Sequence, residues 1–251
     1  MFRNAVASLA LAFALAPPAS AFDISDMSEA EREAFHAEIR EYLLENPEVI
    51  MQAIAVLEQR REQQAAQAEI AMIEDNRDEI YEDGVSYVGG NPNGDVTVVE
   101  FLDYRCGFCK RAFPAVEELI ASDGNIRFIV KEFPILGEAS VLGSRYALAS
   151  KQVHGDEVYK QVHDELMLLR GNLDQRALAR VSRDLDLDHG RIEEVMDSPS
   201  ITATIERNRA LGRRLQIQGT PSFIMGDNFV RGFIELDQMR AIVGAIRAER
   251  S

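Results

Sequence analysis

Cysteine is almost missing from this chain, with two in 251 residues. That scarcity excludes a framework of structural disulfides. A lone bridge between Cys106 and Cys109 would close so short a loop that it removes little chain entropy. A zinc site needs further soft or imidazole donors, yet the four histidines, at 36, 154, 163 and 189, have no spacing that pairs with the cysteines. A redox pair is the reading left. Basic residues are also short: 27 Lys and Arg stand against 42 Asp and Glu, a formal charge of −15. This disfavours nucleic acid and anionic membrane surfaces as partners. No apolar run reaches the roughly 20 residues a membrane-spanning helix needs. The one from Ala5 to Ala16 follows Arg3, breaks at Pro17-Pro18 and leads to Ala19-Ser20-Ala21. That is the pattern of a cleaved export signal, the alternatives being a buried first helix or an anchor. Residues 1–21 are therefore expected to be removed.

What is present is globular in composition: 46% apolar, 27% charged, enough for one core plus an appended segment. Ser28-Glu29-Ala30-Glu31 is a capping box that opens a helix to about Leu44. Asn46-Pro47 starts a second helix, expected to run to about Tyr81, roughly 50 Å at 1.5 Å per residue. Its first half carries a dense stripe, Val49, Ile50, Ala53, Ile54, Val56 and Leu57, which must bury against something. The choice is the same chain's catalytic domain or a self-association stalk, and the narrow seam on a charge-rich helix favours the stalk. Gly89 to Gly94 reads as a loop, Val96 to Leu102 and Asn125 to Phe133 as strands, and Cys106 to Ala121 as a helix kinked at Pro114. A helical stretch spans about 138–196, with a start at Asp174. Ser198-Pro199 opens another helix, Ser222 to Met225 and Phe229 to Arg231 form a hairpin, and Ile234 to Arg247 closes as a helix. The order describes a mixed α/β sheet with a helical insertion, in three segments: 1–21, 22–83 and 84–251.

Cys106-Gly107-Phe108-Cys109 falls between a strand and a helix. The first sulfur then lies at the helix N-terminus, where free N–H groups and the dipole favour a thiolate. The second, one turn on, can reach back to resolve a mixed disulfide. Gly219-Thr220-Pro221-Ser222 precedes a strand, the position a proline tolerates. Glu100, taken alone, reads as a strand-edge surface acid. Lys110 and Arg105 flank the cysteines and either lower the Cys106 pKa or are simply solvated. His154 and His163 are expected in solvent.

Three separated segments, Glu100 to Lys110, Lys131 to Gly137 and Gly219 to Phe223, together resemble the DsbA-like branch of bacterial periplasmic thioredoxin-fold proteins. The resemblance implies a thioredoxin fold with an inserted helical domain, here with an N-terminal helical extension. It implies a cis Thr220–Pro221 bond against the redox pair, Cys106 as nucleophile, Cys109 as resolving thiol and Glu100 as a buried acid exchanging a proton with Cys109. Phe108 stands where strongly oxidising members carry His, and supplies no charge. Gly-Phe is similar to the Gly-Tyr of the periplasmic disulfide isomerases. Thr220, where strong oxidases tend to carry Val, offers a hydroxyl able to bond a sulfur or a peptide.

The activity expected is a periplasmic disulfide isomerase or reductase acting on exported proteins with non-native disulfides, with no cofactor. The dithiol would be restored by a membrane thiol reductase. The N-terminal helices would make it a homo-oligomer, similar in architecture to the suppressor-of-copper-sensitivity C group. Tyr104, Phe108 and Thr220 are the expected substrate contacts, whereas Phe133 reads as core. A DsbA-type dithiol oxidase is the alternative within enzymes. A copper(I)-binding protein or holdase using Cys106 and Cys109 is the alternative outside them.

Overall fold

The computed structural model describes residues 24–250; the expected signal, residues 1–21, lies outside them. Helix α1 (Glu29–Glu45) opens on Ser28, whose hydroxyl accepts the Glu31 N–H while the Glu31 carboxylate accepts the Ser28 N–H. Helix α2 (Glu48–Asp75) ends short of the expected Tyr81. Asn76 turns its side-chain amide onto the Met72 carbonyl at 2.8 Å, competing with the backbone ladder, and α3 (Arg77–Tyr81) restarts beyond it.

The chain divides into two compact units, one through Arg61 and one from Glu62. In the first, no residue of α1 is buried. Ile39, Tyr42, Leu44, Ile50, Met51, Ile54 and Leu57 are all exposed. Ile39, Leu43, Leu44 and Ile50 line a groove of about 380 Å³. In the second unit, Ile73 and Ile80 are completely buried. Residues 62–83, expected to belong with the N-terminal helices, thus fold with the catalytic domain, because their apolar side chains cover one face of its sheet.

That sheet has the order β1-β3-β2-β4-β5. Its strands are β1 (Tyr87–Gly90), β2 (Val96–Leu102), β3 (Ile126–Glu132), β4 (Ser222–Met225) and β5 (Asn228–Arg231). β2 and β3 run parallel and the other neighbours antiparallel. Gly89 and Gly90, expected in a loop, close β1. It is a strand because its backbone pairs with β3, and at Gly90, with φ +66°, an added Cβ would meet the Ile126 carbonyl oxygen. Alternation assigns Val96, Val98, Leu102, Phe128 and Val130 to one core, and Val99, Phe101, Ile129 and Phe133 to the other, with Ile73 and Ile80.

Helix α4 (Gly107–Asp123) carries Pro114 within it, ends two residues past Ala121 and is capped by Gly124 in the left-handed region. The insertion is four helices, α5 (Glu138–His154), α6 (Asp156–Leu168), α7 (Gln175–Asp184) and α8 (His189–Met196). Asp174 caps α7 through the Ala177 N–H. Helices α9 (Pro199–Arg214) and α10 (Leu236–Glu249) complete the domain. In α9, a Cβ at Gly212 would lie 2.4 Å from the Phe133 ring. Replacing a helical glycine by alanine normally stabilises by up to about 1 kcal/mol, but here the ring must move. Gly212→Ala should instead lose about 1–3 kcal/mol. A urea midpoint equal to or above that of the parent protein would refute this close approach.

Candidate redox site

β2 delivers the chain into a turn organised by Asp103, which is fully buried. One carboxylate oxygen accepts the Arg105 N–H at 2.7 Å; the other accepts those of Ile135 and Leu136 at 2.8 and 3.0 Å. The turn that precedes the cysteines is thereby fastened to the loop after β3. Cys106 is the N-cap of α4, and its Sγ accepts the Cys109 N–H at 3.4 Å. Its thiol donates to the Thr220 carbonyl oxygen at 3.0 Å. Cys106 is 6% exposed and Cys109 0%.

The two sulfurs are electrostatically opposed. The Cys109 side chain, donating to Cys106 Sγ, is the strongest influence on Cys106; together with the Cys109 and Phe108 N–H groups it outweighs burial and lowers the pKa to about 5. Burial pushes the Cys109 thiol far above its usual range, and its bond to Cys106 and the charge of Glu100 push it further. Near neutrality the pair is one thiolate and one thiol, the combination that thiol–disulfide exchange requires.

The Thr220–Pro221 peptide bond is cis. Pro221 is buried at the entry to β4, and its carbonyl accepts the Gly232 N–H at 2.9 Å. The Thr220 carbonyl oxygen lies 3.0 Å from the Cys106 sulfur, and the Thr220 side chain, expected to bond a sulfur, also acts on Cys106 and lowers its pKa. Glu100 is 2% exposed. Burial, then the charges of Glu117, Cys106 and Glu132, raise its pKa to about 8.

The other expected residues scatter. Phe108 is 59% exposed beside the nucleophile, whereas Phe133 is core. Tyr104 does not present itself to substrate: it is fully buried and donates to Glu132. From the turn after β2 it reaches His163 of α6, 3.1 Å from Nδ1. His163 is likewise buried, against expectation, because α6 packs that face of the helix onto the sheet; His154 is exposed. Lys110 reaches away from the sulfurs to the Leu166 and Leu169 carbonyls at 2.9 and 2.7 Å, while Arg105 is exposed. The sequence reading missed the cluster of Glu132, Tyr104, Tyr159 and His163. Its available signals were an acid at the end of an apolar strand and an i,i+4 aromatic–histidine pair.

Among the described residues no group of three or more His, Cys, Asp or Glu could hold a metal. No helix there is long and apolar enough to cross a membrane.

A parallel strand pair, a dithiol at the N-terminus of the following helix and a cis-proline loop against the first sulfur define a thioredoxin-fold domain. Residues 97–244 match the DSBA-like thioredoxin domain, and residues 31–64 match the N-terminal domain of copper resistance protein ScsC. The chain belongs to the DSBA-like thioredoxin family. It is similar to a thioredoxin-like oxidoreductase from Silicibacter pomeroyi, at 40% identity and TM-score 0.65, over 70% of this chain and 99% of that one. Proteus mirabilis ScsC in a transitional conformation matches at 25% identity and TM-score 0.65, over 90% of this chain and 100% of the other. The Na(+)/H(+) antiporter NhaA 1 of Salinispora arenicola is 27% identical over 158 residues, 62% of this chain; the chain spans only 24% of that protein's length.

Proposed function

We propose that this chain is a periplasmic thiol–disulfide oxidoreductase that works as an isomerase or reductase on exported proteins. One observation carries the reading. A sulfur with its pKa lowered to about 5 sits at a helix N-terminus near the surface, backed by a buried thiol. The Cys106 thiolate attacks a substrate disulfide, forming one S–S bond and releasing the other substrate sulfur as thiolate. The resulting mixed disulfide leaves by one of two routes. A second substrate thiolate attacks the substrate sulfur, giving a new pairing and returning Cys106 as thiolate. Alternatively Cys109 passes its proton to Glu100 and attacks Cys106; the substrate leaves reduced and the enzyme oxidised. A membrane thiol reductase would then supply two electrons and two protons.

The direction follows from the neighbours. Phe108 brings no charge to stabilise the thiolate, so the disulfide is less eager to be reduced than in strong oxidases. An exposed Phe108 and the backbone of Thr220 offer an apolar contact and a main-chain edge to an unfolded peptide. The N-terminal helices carry exposed apolar residues and match an ScsC N-terminal domain, which supports a homo-oligomer whose redox sites share one substrate. The same match favours a second reading, copper(I) held by Cys106 and Cys109, both soft thiolate donors.

The test compares the chain from residue 22 with a form beginning at Glu62. The longer form should be a homo-oligomer that reactivates a scrambled multi-disulfide protein. The shorter should be a monomer with unchanged dithiol chemistry and reactivation at least about tenfold lower. A monomeric longer form that only oxidises dithiols would contradict the isomerase assignment. Tight copper(I) binding without any reactivation would favour the metal reading.

A further inference from the structure

The exchange mechanism uses one buried carboxyl, Glu100, but a second shares its layer. Glu132 closes β3 and is 1% exposed. β2 and β3 are parallel, with Glu100 opposite Val130 and Leu102 opposite Glu132. Both glutamates therefore lie on the same sheet face, one alternation apart, a diagonal spacing of about 7–8 Å. Glu132 Oε1 accepts two hydroxyls, from Tyr104 and Tyr159, each at 2.7 Å. Tyr104 belongs to the turn that delivers Cys106, and Tyr159 to α6 of the insertion. The Tyr104 oxygen also lies 3.1 Å from His163 Nδ1. Burial holds His163 neutral, with its pKa near 3. Because Tyr104 donates to Glu132, its oxygen accepts the His163 Nδ1–H. Two hydroxyl hydrogens converging on one oxygen suit a carboxylate. Glu100 Oε1 is buried and without a partner among the described residues, while Ser144 acts on the Glu132 carboxyl besides the two tyrosines.

We propose that Glu132 is a positioning residue whose charge sets the proton affinity of Glu100, and through it the pH at which Cys109 can resolve a mixed disulfide. The inference rests on the thiol–disulfide reading above. Burial raises the Glu132 pKa to about 7 against the bonds from Ser144 and its two tyrosines, so its charge changes in the range where the enzyme works. Glu117 of α4 repels Glu100 and is held by Lys160 at 2.9 Å, which also binds Asp164 of α6 at 2.7 Å. Cys106 faces Glu100, and Asp103 of the turn faces Glu132. From α9, Asn208 donates to the Glu132 backbone carbonyl. Lys131 turns to the opposite face, where Asp83 binds it.

The sign is definite. An ionised Glu132 opposes a second negative charge on Glu100, so removing that charge lets Glu100 ionise at lower pH. Two charges about 8 Å apart at an effective dielectric of about 20 interact by roughly one and a half pH units. The experiment follows release of a fluorescent cysteine peptide from its mixed disulfide with Cys106, from pH 5 to 9. Glu132→Gln keeps an oxygen for both tyrosines and loses only the charge. It should move the midpoint down by about one and a half units and leave the plateau rate unchanged. In a Glu100→Gln background the same change should move nothing. Glu132→Leu removes the acceptor and should lower the plateau as well. A Glu132→Gln profile superimposed on that of the unmodified protein, or a shift that persists without Glu100, overturns the inference. In case a variant fails to fold, the infrared carboxyl bands of the unmodified protein give a second measurement. They should titrate as two interacting steps, and two independent steps would equally overturn it. A protein that forms no mixed disulfide at any pH would instead remove the redox reading itself.

Discussion

Replacing Cys106 by serine should abolish thiol–disulfide exchange, by about a thousandfold or more, whereas replacing Cys109 should leave attack intact and trap the substrate. The asymmetry comes from burial and hydrogen bonding. Cys106 is held as a thiolate by the Cys109 side chain and the N–H groups that open α4, with its pKa near 5. An ordinary thiol, with a pKa of about 8.5, is only a few per cent ionised at pH 7. Cys109 is completely buried and its pKa is driven upward; in the proposed mechanism it becomes a nucleophile only inside the mixed disulfide, with Glu100 to take its proton. Alkylation of the native reduced protein should modify Cys106 with a half-maximal rate near pH 5. Cys109 should react only after unfolding. Equal labelling of both cysteines in the native protein would contradict the arrangement, as would a Cys109→Ser variant that accumulates no mixed disulfide.

The second large effect is on stability. Lys131 has no exposed surface, and its ammonium group is satisfied by the Asp83 carboxylate and the Glu79 carbonyl, each at 2.7 Å. Removing one partner of a buried pair leaves an uncompensated charge, which costs about 3–5 kcal/mol. Asp83→Ala should lose that amount in urea unfolding. Lys131→Met leaves the charge on Asp83, which is partly exposed and keeps its bonds from Ser86, and should lose distinctly less. The pH dependence has a clear sign. Burial alone would raise the Asp83 pKa, but the charge and hydrogen bond of Lys131 bring it down to about 2. A carboxyl with a lowered folded-state pKa contributes stability above its unfolded value, and that contribution disappears as pH falls through the folded one. The difference between the parent protein and Asp83→Ala should therefore hold at pH 5 and shrink between about pH 4 and 2. A difference that stays constant down to pH 2 would show that the pair is not the source. Glu100 and Glu132, with raised values near 8 and 7, act in the opposite direction. The folded chain keeps their protons longer than the unfolded one, so they weaken it as pH rises from about 4.5.

Glu100 shows how the sequence and structure divide the information. From composition alone an acid within Val-Thr-Val-Val-Glu-Phe-Leu reads as a strand edge. It is buried because β2 lies between β3 and β4 with α4 above it, a fact of sheet order that no local pattern contains. Tyr104 and His163 were misplaced for the same reason. Each looks like a surface residue near a loop or on a polar helix, and each is enclosed because α6 closes over the sheet at that point. Gly89 and Gly90 lack every strand propensity, yet a neighbouring backbone recruits them into β1. The break at Asn76 is a local event, but its sequence signal is faint inside an otherwise continuous helical pattern.

What the sequence determined by itself was local and periodic. The run from Val96 to Leu102 specified a buried strand, the capping residues Ser28, Asp174 and Ser198 placed helix starts, and the spacing of Cys106 and Cys109 put two sulfurs one helical turn apart. Only the tertiary structure decided which sulfur ionises. It brings Thr220, 114 residues away in the chain, against Cys106, where its side chain helps to lower the pKa, and seals Cys109 above Glu100. A pKa depends on solvent exclusion and on charges within a few ångströms, and those distances exist only once the strands have found their order.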